Sequence, residues 1–232
     1  PMDIKICDDK GEEVPIGQKG EIVIRGENVM AGYWKNPKAT ADTVVDGWLH
    51  TGDMGYICPF DTDFLYVVGR FKSLLISADG EKYSPEAFED SLPEVSKYVE
   101  AAVLHNNQSP YTIALLVPSK DSLVEYVKAQ GLDPKSEEGR KAMLLKIQEE
   151  IDTYKTGGPH AALFPDRWLP NAVVICDEGF TIANGMLNST MKMVRRKVEE
   201  HYAARMEYAY TPEGRPIVNE QNLKALEIIN NQ

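Results

Sequence analysis

The sequence predicts an α+β protein: an antiparallel β-barrel-like subdomain followed by a small α+β C-terminal domain. Three observations predict it. Up to residue 70 the apolar residues fall in short runs of strand period, with glycine-bearing turns between them. After Arg70 such runs alternate with amphipathic stretches of helical period. No apolar run is long enough to cross a membrane as a helix. The boundaries expected are 1–69 for the β subdomain and 70–232 for the α+β domain.

In the first part, Ile4 and Ile6 alternate with charged residues, and Asp8-Asp9-Lys10-Gly11 follows as a turn. Glu21 to Gly26 reads as a strand entered through Gly17 and Gly20. Residues 37–45 predict a short helix with Pro37 at its start. Asp46-Gly47 reads as a turn, and Thr51-Gly52-Asp53 as another. Phe64 to Val68 is a further strand that ends at Gly69-Arg70. The chain opens at Pro1-Met2-Asp3-Ile4, already inside a strand, which suggests a cut boundary.

In the second part, Leu74-Leu75-Ile76 is a short strand and Asp79-Gly80-Glu81 a hairpin turn. Ser84-Pro85-Glu86 opens a helix with a hydroxyl cap, a proline and a carboxylate in the first turn. Ala101–Leu104 and Thr112–Val117 are apolar runs expected to pair. Helices are predicted over 122–130, with Gly131 as the stop, and over 137–155, broken by Gly157-Gly158-Pro159. Ala172–Ile175 is a late strand. Val194, Val198 and Tyr202 mark one face of a further helix, and 220–229 predicts a last one.

Composition narrows the function. The 232 residues are 43% apolar and 26% charged, an ordinary globular balance, with a formal charge of -11. Such a surface repels phosphate backbones and anionic lipid, which argues against nucleic-acid and membrane-surface roles. Cys7, Cys58 and Cys176 form no C-x-x-C pair, and the four histidines show no ligand spacing. Reduced cytosolic thiols and no metal site are expected.

Single residues admit two readings each. Asp53 is by default a turn aspartate that satisfies backbone amides; alternatively its two oxygens accept both hydroxyls of a ribose. Gly69-Arg70-Phe71-Lys72 is a strand end with a solvated base, or an arginine fork for phosphate beside a rotation point between domains. Gly80 is a turn glycine, or a bare stretch of backbone that lets a thin substrate pass close by. Lys192 is a solvated lysine at the start of a helix, or a mobile cation for a reacting carboxylate and phosphate.

Order and spacing add a resemblance. Gly20-Glu21-Ile22-Val23-Ile24-Arg25-Gly26, Met30 to Pro37, and Asp46 to Gly55 follow one another as the late motifs of the adenylate-forming superfamily do. That group holds acyl-CoA synthetases, peptide-synthetase adenylation domains and beetle luciferases. Val68 to Ser77 and Gly80 to Glu86 are similar to its hinge and following loop. Gly185-Met186-Leu187-Asn188-Ser189-Thr190-Met191-Lys192 resembles the terminal lysine motif of its long-chain fatty acyl-CoA synthetase branch.

The resemblance implies an AMP-forming ligase that uses ATP, Mg²⁺, a fatty acid and CoA in the cytoplasm. Lys192 would be catalytic in forming the acyl-adenylate. Asp53 would hold the ribose hydroxyls, and Arg70 the ribose or a nearby phosphate. Lys72 would be the hinge, and Gly80, with Glu81 beside it, would line the path of the pantetheine arm. The second domain would be the lid, which presents Lys192 in one half-reaction and the Gly80 loop in the other.

The family's phosphate loop, its Tyr-Gly-x-Thr-Glu segment with the magnesium-binding glutamate, and the fatty-acyl tunnel are absent. Residues 1–69 would then be a remnant of the large AMP-binding domain, and this chain alone is expected to be inactive. Truncation would also expose apolar surface and favour self-association. Open alternatives are an aryl or medium-chain acyl-CoA ligase and a non-catalytic nucleotide- or CoA-binding module. The stretch 132–170 and the tail beyond Tyr202 have no chemical role in this reading.

Overall fold

The computed structural model describes residues 2–231, with the side chain of Lys72 outside the described residues. It divides into two compact units that part between Leu74 and Leu75.

The first unit contains β1 (Met2–Cys7), β2 (Gly20–Gly26), α1 (Pro37–Thr43), β3 (Val44–Val45), β4 (Trp48–Ile57) and β5 (Leu65–Arg70). The strands form one antiparallel sheet in the order β1-β2-β4-β3, with β5 also paired to β4. The sheet is an open half-barrel, not a closed one. Asn36 caps α1 by accepting from the Ala39 N–H at 3.0 Å. The helix expected to reach residue 45 stops at Thr43. Val44 and Val45 pair instead with Leu49 and Trp48 across the Asp46-Gly47 turn. β-branched residues gain more from such pairing than from another helical turn.

Among the described residues, the fully buried apolar side chains of this unit are Ile6, Cys7, Ile22 and Val23. Trp34 and Phe60 are 87% and 96% exposed, and Phe64 and Val67 are also exposed. That is a thin core for a unit of this size, with several large apolar side chains left in solvent.

The second unit has a denser core. Its main sheet joins β8 (Val99–His105), β10 (Ile113–Pro118) and β11 (Ala172–Ile175), with β10 central. β8 runs antiparallel to β10, and β11 runs parallel to it. All six residues of β10 are buried because both faces of the sheet are covered. On one face Ala114, Leu116, Val173 and Ile175 pack with α2 (Glu86–Val95), α3 (Lys120–Ala129) and α4 (Glu137–Asp152). On the other, Ile113, Leu115 and Val174 pack with Val198, Tyr202 and Met206 of α5 (Arg195–Ala209). The last helix, α6 (Glu220–Asn231), adds Ala225, Leu226 and Ile229 to the first face.

A smaller sheet is built from β6 (Leu75–Ser77), β7 (Lys82–Tyr83) and β9 (Asn107–Ser109). β6 and β7 make the hairpin whose tip is Asp79-Gly80. Ser84 accepts from the Glu86 N–H at 3.4 Å and Pro85 has helical backbone angles, but α2 begins at Glu86, with Pro85 rather than Ser84 in the cap position, one residue later than its sequence predicts. No helix among the described residues is long and apolar enough to cross a membrane.

Candidate active site

Asp53 does not lie in a turn, as its neighbours suggested. It belongs to β4, at a bulge. Glu21 of β2 faces Met54, whereas Val23 faces His50, so Thr51, Gly52 and Asp53 together oppose Ile22. Gly52 takes φ +74°, a left-handed conformation that a side chain would strain. The bulge is stitched at both ends. The Thr51 hydroxyl donates to the Ile22 carbonyl at 2.6 Å and accepts from the Asp53 N–H at 3.0 Å. Glu21 accepts from the Gly52 N–H at 3.1 Å, and its other oxygen lies 2.8 Å from His50 Nδ1.

The bulge lifts the Asp53 carboxylate to the rim of a cleft of about 550 Å³ that Tyr33, Asp42, Thr43, Arg70 and Ser73 also line. Asp53 faces Arg70 across β4 and β5, with Arg70 Nε 3.9 Å from Oδ1. That is too long for a hydrogen bond. With the two side chains 45% and 63% exposed, the pair contributes at most about 1 kcal/mol. Both carboxylate oxygens therefore stay available to hydroxyl donors, with a guanidinium alongside for an anion. Glu21, His50 and Thr51 carry this geometry, and none was singled out from the sequence. The Thr-Gly-Asp triplet was its only local signal.

Lys192 lies in a loop three residues before α5, not at the helix start. Asn188 organises the loop. Its Oδ1 accepts from the Thr190 N–H, the Thr190 hydroxyl and the Lys192 N–H at 2.8–2.9 Å, and its own N–H donates to the Lys192 carbonyl. Leu187 and Met193 bridge the base of the loop. The Lys192 side chain is exposed.

The loop is tied to the core by Arg195. Its guanidinium makes contacts of 2.7 and 2.8 Å to the two oxygens of buried Glu89 and donates to the Leu104 carbonyl at 2.8 Å. Glu89 in turn accepts from the Leu104 N–H at 2.6 Å. Burial holds the Glu89 carboxyl above the ordinary glutamate value, against the pull of Arg195.

Gly80 has φ +85° and open space where a side chain would stand. The hairpin around it is closed by Ser77 N–H to Glu81 O at 3.0 Å and Gly80 N–H to Ser77 O at 2.9 Å. Glu81 accepts a two-point contact from Arg167, which holds its carboxyl below the ordinary glutamate value.

The structure thus brings Asp53 together with Arg70 in the first unit and Glu81 together with Arg167 in the second. Lys72, the hinge residue of the sequence reading, has its side chain outside the described residues. Its backbone lies in a short 3-10 turn, Phe71–Ser73. Among the described residues no group of three His, Cys, Asp or Glu side chains is placed to hold a metal ion.

Comparisons with known proteins point to one family. The AMP-binding enzyme family matches residues 1–34. A putative fatty-acid–CoA ligase of Mycobacterium tuberculosis is 32% identical over 229 residues, covering 90% of this chain and 36% of that protein. The human long-chain-fatty-acid–CoA ligase 1 is 29% identical over 196 residues, covering 83% and 27%. Among solved structures, the adenylation domain of a carboxylate reductase from Mycobacterium chelonae superposes with a TM-score of 0.72 at 26% identity, over 90% of this chain and 31% of that one. Together these likenesses support membership of the adenylate-forming superfamily. It spans about a third of the length of the curated relatives it matches.

Proposed function

We propose that this chain is the C-terminal portion of an AMP-forming acyl-CoA ligase that activates a long-chain fatty acid. In the first half-reaction the fatty carboxylate attacks the α-phosphate of ATP. The acyl–phosphate bond forms and pyrophosphate leaves. Lys192 offsets the charge that gathers between carboxylate and phosphate, while Asp53 holds the ribose hydroxyls and Arg70 lies beside them. In the second, the CoA thiol attacks the acyl carbon, AMP departs, and the Gly80 hairpin lines the approach. Residues near Lys72 let the second unit turn as a lid between the two steps, which keeps water from the acyl-adenylate. ATP and CoA are the cosubstrates, and Mg²⁺ would be bound by ATP phosphates and by residues beyond this chain.

The observation that carries this reading is the loop around Asn188, which fixes the Lys192 backbone while leaving its ammonium in solvent. A merely structural lysine would not require such an anchored base. The thin core of the first unit, with Trp34 and Phe60 exposed, supports its being part of a larger domain. The fatty-acid ligases among the relatives favour a long-chain substrate.

The test is the native protein that contains this sequence, assayed with ATP, CoA and palmitate, octanoate or benzoate in turn. Lys192→Ala is expected to slow adenylate formation by about 10²–10³. It should leave thioester formation from supplied palmitoyl-adenylate intact. Equal loss of both half-reactions sinks the role of Lys192, and preference for benzoate sinks the long-chain assignment. Acyl-CoA formation by the 232-residue chain alone would show that it is no fragment.

A further inference from the structure

Arg167 lies in the stretch between α4 and β11, to which the adenylation chemistry gives no role. Its guanidinium donates from Nε and Nη2 to the two oxygens of Glu81, at 2.5 and 2.6 Å. The next residue, Trp168, lies flat on Tyr83, with ring centres 5.2 Å apart and planes 9° from parallel. Tyr83 is fixed from beneath: it is buried, its hydroxyl meets Thr112, and it accepts from the Asn106 amide at 3.4 Å. Glu81 and Tyr83 are two residues apart, hence on one face of the hairpin arm. The 3-10 turn Asp166–Trp168 therefore grips the Gly80 hairpin at two points on that face.

Gly80 offers bare backbone with open space above it. An unheld Glu81 side chain would be free to sweep across that backbone, adding a negative charge where a phosphate-bearing arm must pass. Two adjacent carboxylates would be worse, and the other one, Asp79, is already held by the Ser77 hydroxyl. We propose that Arg167 is a positioning residue for thioester formation: it draws Glu81 off the Gly80 surface and offsets its charge, so that the phosphopantetheine arm of CoA can lie across the hairpin. This rests on the reading of Gly80 given above. Arg167 is 64% exposed, so the pair adds little to the stability of the fold. Its effect falls on the shape and charge of the hairpin.

The complete ligase tests this with Arg167→Ala, Arg167→Lys and the double variant Glu81→Gln/Arg167→Ala. Arg167→Ala is expected to raise the KM for CoA roughly three- to tenfold, while the KM values for ATP and fatty acid hold. Arg167→Lys keeps the charge without the fork and should fall between. The double variant removes the freed charge and should recover most of the loss. In the 232-residue chain, hydrogen exchange at the Gly80 and Glu81 amides should quicken in Arg167→Ala. An active Arg167→Ala enzyme whose CoA KM stays within about twofold of wild type overturns the proposal and leaves the ligase reading intact. A matching rise in the ATP KM, or unchanged exchange at Gly80 and Glu81, also overturns it. A wild-type protein that forms no thioester overturns the ligase reading, and this proposal with it.

Discussion

Asn222 stands beside Ile175 where the peptide of a neighbouring strand would lie. Its side-chain carbonyl accepts from the Ile175 N–H at 3.0 Å, and its amide donates to the Val173 carbonyl at 2.9 Å. β11 is an end strand of its sheet, and this single side chain occupies its outer hydrogen-bonding edge. The opposite edge is met in a similar way: Glu89 and Arg195 take the Leu104 N–H and carbonyl of β8.

Asn222→Ala should leave the Ile175 N–H and Val173 carbonyl without partners in a buried setting. A loss of about 1–3 kcal/mol in urea unfolding is expected. Faster aggregation should accompany it, read by light scattering, because an open strand edge is a template for pairing. Asn222→Asp keeps the acceptor but not the donor, and should fall between.

Arg195→Ala should be more costly, about 3–5 kcal/mol, because it strands the Glu89 carboxylate in the core. The deficit should depend on pH. Glu89 already titrates above its unfolded value, and losing Arg195 pushes it higher. Protonated Glu89 therefore favours the native state. That contribution is complete below the unfolded glutamate value and fades as pH rises through the folded one. Denaturation midpoints at pH 5 and pH 7 should differ more in the variant than in wild type, with the variant weaker at pH 7. Glu89→Gln on the variant background should flatten the difference.

Gly52→Ala forces a side chain into φ +74° at the bulge. The expected cost is about 1 kcal/mol, together with a displaced Asp53 carboxylate. Nucleotide affinity of the complete protein, measured by calorimetry, should fall for both Gly52→Ala and Asp53→Ala. Unchanged affinity in Asp53→Ala would remove that residue from the nucleotide site.

Thiol chemistry reports on the core. Cys176 is fully buried, and burial pushes its thiol up to about 12. Cys7 is buried and also raised. Cys58 is half-buried. At pH 8 a disulfide reagent should modify Cys58 first, and Cys176 at the rate of unfolding. Prompt modification of Cys176 would contradict the packing of β11 against α5.

What the sequence revealed depended on how local the cause was. The run Thr112–Val117 announced β10 because burial on both faces makes a strand apolar throughout. Ser84-Pro85-Glu86 announced α2 because caps act within one turn. The bulge at Asp53 stayed hidden, since it needs Glu21 and Ile22 of another strand. Arg167 meets Glu81 from 86 positions away, and Asn222 meets Ile175 from 47. No periodicity encodes such pairs. Lys192 stood out through its motif, yet its loop owes its shape to hydrogen bonds from Asn188.

The parallel pairing of β10 with β11 has a consequence for synthesis. Ile113 faces Ala172, so the central strand leaves the ribosome well before one of its two neighbours exists. At roughly 5–20 residues per second that gap lasts several seconds. Throughout it, the most apolar segment of the nascent chain is covered on one flank alone, and the side chain that seals the far flank, Asn222, arrives later still. A chaperone that binds extended apolar segments would find its site at 113–118 during that interval and lose it once β11 docks.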